Sequence, residues 1–451
     1  MSLAIVFALI FPVLGPPARA SAQSPGTTNP AARFSAWPDH ELLIVHPPRL
    51  TGTQQLSIIE PGADLKTHTS LGSVDIAKAN PQDATAAAAG RLLTSARDSV
   101  LYAYRYRPSP TSPDYVGLSF YQPAYSVPIH KLSDLAPRVN DGAHFFDLAV
   151  GDVDGQPADD SDYRDEAVVA WAHADASDGA TDGKLQVAVA VLDFGRASES
   201  APGTITATTA VAAPGLDAGA IAAGTIAPVD NALAVTLGDF DGDGVQEIAV
   251  AYFSSPTALT VQVFQYSLDL DGHTILRSLV SAGSTTVTLP AGTTWNQSLS
   301  LATGDFNGDR ATGRDELALA TSERTGTSQN IRLHLFSMSC ADGAACSSSP
   351  ALTITKHPTV TQLGDTISDG GMPRRVQIAS GLFDMSSGNI RHRQLGVAYT
   401  VTEGSGRGGR LRLASMDAAL GVTLGTPVST LLVNSEQFWL AAGGFKGNRS
   451  S

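Results

Sequence analysis

GDFDGDGVQEIAVAY, residues 238–252, places Asp239, Asp241, Asp243 and Glu247 within nine positions and then runs directly into an alternating apolar stretch. Acidic side chains at alternate positions of a glycine-bent loop can aim their oxygens at one hard cation, and calcium takes about six to eight such ligands at roughly 2.3–2.6 Å. An EF-hand would need a bidentate Glu at its twelfth position and a helix behind it. Here Ile248, Val250 and Tyr252 alternate with Ala249 and Ala251, which is the period of a strand. The loop therefore joins two β-strands.

The pattern recurs along the chain. GDFNGDRATGRDELALA at 304–320 repeats it with Asp305, Asn307, Asp309 and Glu316, and GDVDGQPADDSDYRDEAVVAW at 151–171 repeats it with Asp152, Asp154 and Glu166 around an acid-rich insertion. Three further copies have lost ligands: Leu382 stands for the first Asp in the copy at 379–399, Lys446 for the second acid at 441–448, and the copy at 88–104 keeps only the strand that follows. The opening glycines stand at 90, 151, 238, 304, 381 and 443, at intervals of 61, 87, 66, 77 and 62 residues. A repeat of that length is one unit of about four strands, which cannot bury its own faces and must stack on its neighbours.

The apolar strand before the loop (Leu233, Val235, Leu237), the run Gly-Asp-Phe-Asp-Gly-Asp-Gly at 238–244 and the apolar strand after it resemble the FG-GAP or VCBS-type repeats of integrin-α-like β-propellers. The resemblance covers roughly residues 37–451. It implies an all-β propeller of four-stranded blades, with calcium bound between the first two strands of some of them. The repeat count gives six blades, with seven as the alternative for a longer protein. The candidate cation ligands are Asp239, Asp241, Asp243 and Glu247; Asp305, Asn307, Asp309 and Glu316; and Asp152, Asp154 and Glu166.

Alternation places third strands at Leu259–Phe264, Ile331–Leu335 and Leu411–Leu413, and a fourth at Ile275–Val280. The Ala-, Gly- and Thr-rich stretch 196–230 reads as an insertion on the outer edge. The last copy, QFWLAAGGFKGN at 437–448, supplies a first strand and a loop, whereas ELLIVH at 41–46 and QQLSIIE at 54–60 read as a second and third strand lacking a first. Pairing of residues 41–46 with 438–443 would complete one blade from the two ends and leave no open edge in the ring.

The net charge of −14, without any run of Lys and Arg, argues against nucleic acid or an anionic membrane as partner. AIVFALIFPVL at 4–14 is too short to span a bilayer and is followed by Ala18, Ala20 and Ala22 in A-x-A spacing, so residues 1–22 read as an export signal and 23–36 as a disordered lead-in. Two cysteines occur, Cys340 and Cys346. In an exported chain they are expected to close a small disulfide loop worth about 2 kcal/mol at best; two free thiols are the alternative in a reducing compartment.

Catalytic signatures are weak. GSGRGG at 404–409 satisfies G-x-G-x-x-G formally but sits between two strands, which makes it a hairpin turn rather than a phosphate cradle. The acids at 159, 160, 162 and 165 read as an exposed acidic insertion rather than half of a glycosidase pair. Tyr102, Tyr104 and Tyr106, followed by Tyr115, Tyr121 and Tyr125, could stack on sugars, but alternating Tyr in a strand more often packs on the next blade. The expectation is a secreted, monomeric, non-enzymatic calcium-binding propeller that engages an extracellular protein. A lectin and an accessory domain of a secreted enzyme are the alternatives.

Overall fold

The structure is a computed structural model. It describes residues 41–46, 54–61, 68–76, 85–92, 98–106, 115–121, 128–132, 146–155, 165–173, 184–193, 206–217, 232–271, 274–308, 313–340, 351–364, 366, 375–383, 393–403, 406–428 and 438–443. The export signal, the lead-in, Asp309, Lys446, Tyr125 and Cys346 lie outside the described residues, as do the side chains of Tyr104, Tyr106, Tyr115, Tyr121 and Trp439.

Every described element is a strand. In chain order β1 (Glu41–His46), β2 (Gln54–Pro61) and β3 (His68–Ile76) are followed by β4 (Thr85–Gly90), β5 (Ser99–Tyr106), β6 (Tyr115–Tyr121) and β7 (Pro128–Leu132). Next come β8 (Phe146–Gly151), β9 (Glu166–His173), β10 (Lys184–Asp193) and β11 (Thr206–Asp217), then β12 (Leu233–Gly238), β13 (Glu247–Ser255), β14 (Ala258–Asp271) and β15 (Thr274–Thr288). The remainder are β16 (Thr293–Gly304), β17 (Glu316–Thr325), β18 (Ser328–Cys340), β19 (Leu352–Gln362), β20 (Val376–Gly381), β21 (Gln394–Glu403), β22 (Gly406–Met416), β23 (Val422–Leu424) and β24 (Trp439–Gly443).

These pair into antiparallel four-stranded sheets, each a meander: β4 to β7, β8 to β11, β12 to β15, β16 to β19 and β20 to β23. The remaining sheet has the order β24-β1-β2-β3 and joins the two ends of the described chain. Glu41 pairs with Gly443 and Val45 with Trp439, in the register expected for a blade completed by both ends. The first strands of the sheets are also neighbours in space, β4 beside β8, β8 beside β12, β12 beside β16, β16 beside β20, β20 beside β24 and β24 beside β4. The arrangement is propeller-like, with first strands inside and fourth strands outside.

Apolar faces of successive sheets bury one another. One cluster runs from Val168 and Val189 through Val235 and Val250 to Leu301 and Leu319. Leu101 with Leu148, Leu333 with Val397, and Leu42 with Leu440 mark the clusters that continue it around the sheets. Each such side chain contributes about 1.5–3 kcal/mol when fully buried.

The inner strands are also stitched by polar contacts. Asp147 of β8 accepts the Val235 amide of β12 at 3.0 Å, Thr303 of β16 donates to the Leu237 carbonyl, and Ser298 and Ser300 accept the amides of Val376 and Ile378 at 3.0 and 3.1 Å.

Two expectations need correction. Within the stretch 196–230 expected as an insertion, the described residues 206–217 are instead β11, the outermost strand of its sheet. The weak period of an Ala- and Thr-rich strand hid it. β15 is also longer than the stretch 275–280 picked out by alternation, because it continues past a register shift at Val263 and Phe264. GSGRGG does sit in a hairpin, with Glu403 paired to Gly406. Tyr102 is buried.

Candidate cation sites

Each site is the turn from a first strand to a second. In the 239–247 loop the carboxylate of Asp239 accepts the Gly242 amide at 2.7 Å through one oxygen and the Gly244 amide at 3.0 Å through the other. Gly242 and Gly244 have φ of 82° and 91°, a conformation that L side chains rarely adopt and that turns those amides inward. Asp241 accepts the Asp243 amide at 3.0 Å, and Asp243 the Val245 amide at 2.8 Å. Phe240, fully buried, plugs the core beneath the loop, and its amide donates to Oε2 of Glu247 at 2.8 Å.

One oxygen each from Asp239, Asp241 and Glu247 lies within 4.8 Å of the others. Asp243, also expected as a ligand, is exposed and stands outside this set. Oε1 of Glu247 is buried and has no hydrogen-bond partner. Burial, with the neighbouring carboxylates adding to it, raises the Asp239 carboxyl to about 7 and the Asp241 carboxyl to about 6, and holds Glu247 well above the usual carboxylate range. An unpartnered buried carboxylate oxygen is costly, and a cation among three carboxylates removes that cost.

The 152–166 loop repeats this geometry. Asp152 accepts the Gly155 amide at 2.9 Å, buried Val153 replaces the Phe plug, and its amide donates to Oε2 of Glu166 at 3.1 Å. Asp152, Asp154 and Glu166 again bring one oxygen each within 4.8 Å. Burial, reinforced by Asp154, pushes the Glu166 carboxyl up to about 9.

The 305–316 loop is built alike and satisfied differently. Asp305 accepts the Gly308 amide at 2.6 Å and the Phe306 amide donates to Oε2 of Glu316 at 2.9 Å. Oε1 of Glu316, equivalent to the orphaned oxygen of Glu247, accepts the side-chain amide of Asn307 at 2.7 Å. Asn307 therefore acts toward Glu316 as a donor, although the sequence reading places it among the ligands.

Residues just before the second strands, three of which open on the closing Glu and one on Gln394, form a seam that the sequence reading missed. The amide of Asp165 donates to the Arg91 carbonyl at 3.0 Å, that of Gln246 to Asp152 at 2.9 Å, that of Asp315 to Asp239 at 2.8 Å and that of Arg393 to Asp305 at 3.0 Å. Asp165 was expected in an exposed acidic insertion. Its carboxylate instead accepts the Arg91 amide at 2.6 Å, and burial raises it to about 7. The legible signal was a polar residue at that same position in four copies, Asp165, Gln246, Asp315 and Arg393. Arg314 reaches the Asp241 carbonyl at 3.3 Å and Sγ of Cys340 at 3.1 Å, and the pairing expected between Cys340 and Cys346 falls outside the described residues.

All donors at the two carboxylate clusters are oxygens, which suits a hard divalent cation rather than a thiophilic metal. No protein-family model matches the chain, and no curated protein matches it. Among the described residues no helix is long and apolar enough to cross a membrane.

Proposed function

We propose that this chain is a six-bladed, calcium-stabilised β-propeller of the FG-GAP or VCBS type, exported from the cell and serving as a binding module for an extracellular protein. The observation that carries the cation reading is the buried, unpartnered Oε1 of Glu247 beside Asp239 and Asp241. Six four-stranded sheets and the pairing of β1 with β24 support the blade count. Calcium suits clusters with several carboxylates and flexible glycine-rich backbone better than magnesium, which demands near-octahedral geometry and gives up its waters reluctantly. The ion's role is structural: it relieves repulsion of order 1–4 kcal/mol per close carboxylate pair.

Thermal melting in excess chelator, then with calcium or magnesium added back, tests the reading. At a free ion concentration about 100-fold above Kd each site adds roughly 2.7 kcal/mol, so calcium should raise Tm. Glu247→Gln should raise the Tm measured in chelator, by putting a neutral amide in place of a carboxyl buried among other carboxyls, and shrink the response to calcium. An identical melting curve in chelator and in millimolar calcium rules out structural calcium. A glycan array then separates a protein-binding module from a lectin.

A further inference from the structure

The 152–166 and 239–247 loops are in direct contact. Asp152 holds Gly155 with its carboxylate while its carbonyl accepts the Gln246 amide, so one residue belongs both to its own carboxylate cluster and to the backbone that leads into Glu247. Gly151 leaves room for the Gln246 side chain, whose carboxamide oxygen lies 1.9 Å from where a Cβ would stand. Gly155, at φ 58°, sits opposite the Val245 isopropyl group, 2.5 Å from its own missing Cβ. Val245 and Gln246 immediately precede Glu247, which carries the orphaned oxygen. Similar amide-to-carbonyl rungs recur between other copies, but among the described residues only this seam has a three-carboxylate cluster on both sides.

We propose that the two loops bind calcium cooperatively, the ion in the 152–166 loop fixing the Gly151–Gly155 backbone and thereby the approach of Glu247 to the second ion. The proposal rests on the cation reading above. Gathering Asp152, Asp154 and Glu166 around an ion orders the carbonyl and the glycines on which Val245 and Gln246 dock. Coupling between two binding sites is reciprocal, so each ion strengthens the other by the same factor.

Calorimetric titration of the full chain with calcium tests this in the wild type and in Asp154→Asn, Asp241→Asn and Val245→Ala, each checked for retained β-structure by circular dichroism. The wild type should bind with a Hill coefficient above one. In Asp154→Asn the 239–247 site should weaken at least about five-fold, and in Asp241→Asn the 152–166 site should weaken by the same factor. Val245→Ala replaces no carboxylate and keeps the main-chain amide that Asp243 accepts, so it should keep both ions and lose part of the cooperativity. Two independent sites, each unmoved by loss of the other, would overturn the coupling and leave the cation reading intact. A wild type that binds no calcium would overturn both.

Discussion

Glu247 and Glu316 close equivalent loops, yet one carboxylate has a bare oxygen and the other has a neutral donor resting on it. The equivalent side chain is Asp241 in the first loop and Asn307 in the second, and on the proposed cation reading it sets which loop depends on an ion. Asn307→Asp should convert the second kind into the first: it removes the 2.7 Å bond and sets two carboxylates together, at a cost of order 1–4 kcal/mol without a cation. Its melting temperature should fall in chelator and recover in calcium by more than that of the wild type. Equal calcium responses in the two proteins would mean that this asparagine does not set ion dependence. Asp147 makes a pH-dependent case away from the ion sites. Burial raises its carboxyl to about 7, against the Val235 and Leu148 amides that oppose the shift. The folded state therefore holds a proton that the unfolded chain releases near pH 4, and this residue's contribution to stability falls as pH rises from about 4 to about 7. Asp147→Asn keeps an acceptor for Val235 while abolishing that loss. Because the side chain is only partly enclosed, the gain should be about 1–3 kcal/mol at pH 8 and small at pH 4.5, read from denaturant unfolding at both values.

At the level of the strand, close approach sets the limits. Gly283 of β15 faces β19 so tightly that a Cβ would stand 2.4 Å from the Leu352 carbonyl oxygen, which is backbone and cannot swing aside. Gly283→Ala should destabilise the protein by about 1–3 kcal/mol through forced separation of the two outer strands, whereas Gly292→Ala meets nothing within 4 Å and is strained only by its φ of 79°. Equal denaturation midpoints for Gly283→Ala and the wild type would show that β15 and β19 can part freely. These strands also mark how far the sequence could be read. Leu259, Val261 and Val263 alternate cleanly with polar or small residues and announce β14, because one face packs on a neighbouring sheet. β11, reading TATTAVAAPGLD, offers few large apolar residues and so carries almost no period. The carboxylate loops were legible because acidic residues recur in them at fixed spacings between glycines. The seam beside them was not: its rungs are main-chain bonds, which leave only a faint preference for polar residues at 165, 246, 315 and 393. The role of Asn307 was not legible for a related reason, since an amide can donate or accept and only the partner decides.

Across the whole molecule, stability depends on the one sheet that draws its strands from both ends of the described chain. Among the described residues β24 pairs with β1 and lies beside β20 and β4, so its removal exposes an edge of β1 and uncovers two neighbouring sheets at once. Phe438, fully buried just before β24, and Leu440 within it pack in the cluster that also holds Leu42, Ile44, Phe383 and Leu411, drawn from both ends of the described chain. That cluster forms only when residues some four hundred positions apart meet, so its loop-closure cost is met late and its contacts are needed to hold the ring shut. Phe438→Ala should cost about 3–5 kcal/mol. Chains ending at residue 437 should lose the β1 pairing as well and expose an aggregation-prone edge. Hydrogen exchange distinguishes ring opening from a local cavity: opening should raise exchange in β1 and β2 together with β20 and β21, while β13 and β14, on the far side of the ring, keep their protection. Exchange confined to the residues touching Phe438, with β1 still protected in the truncated chain, would show that the ring does not depend on the pairing of β24 with β1.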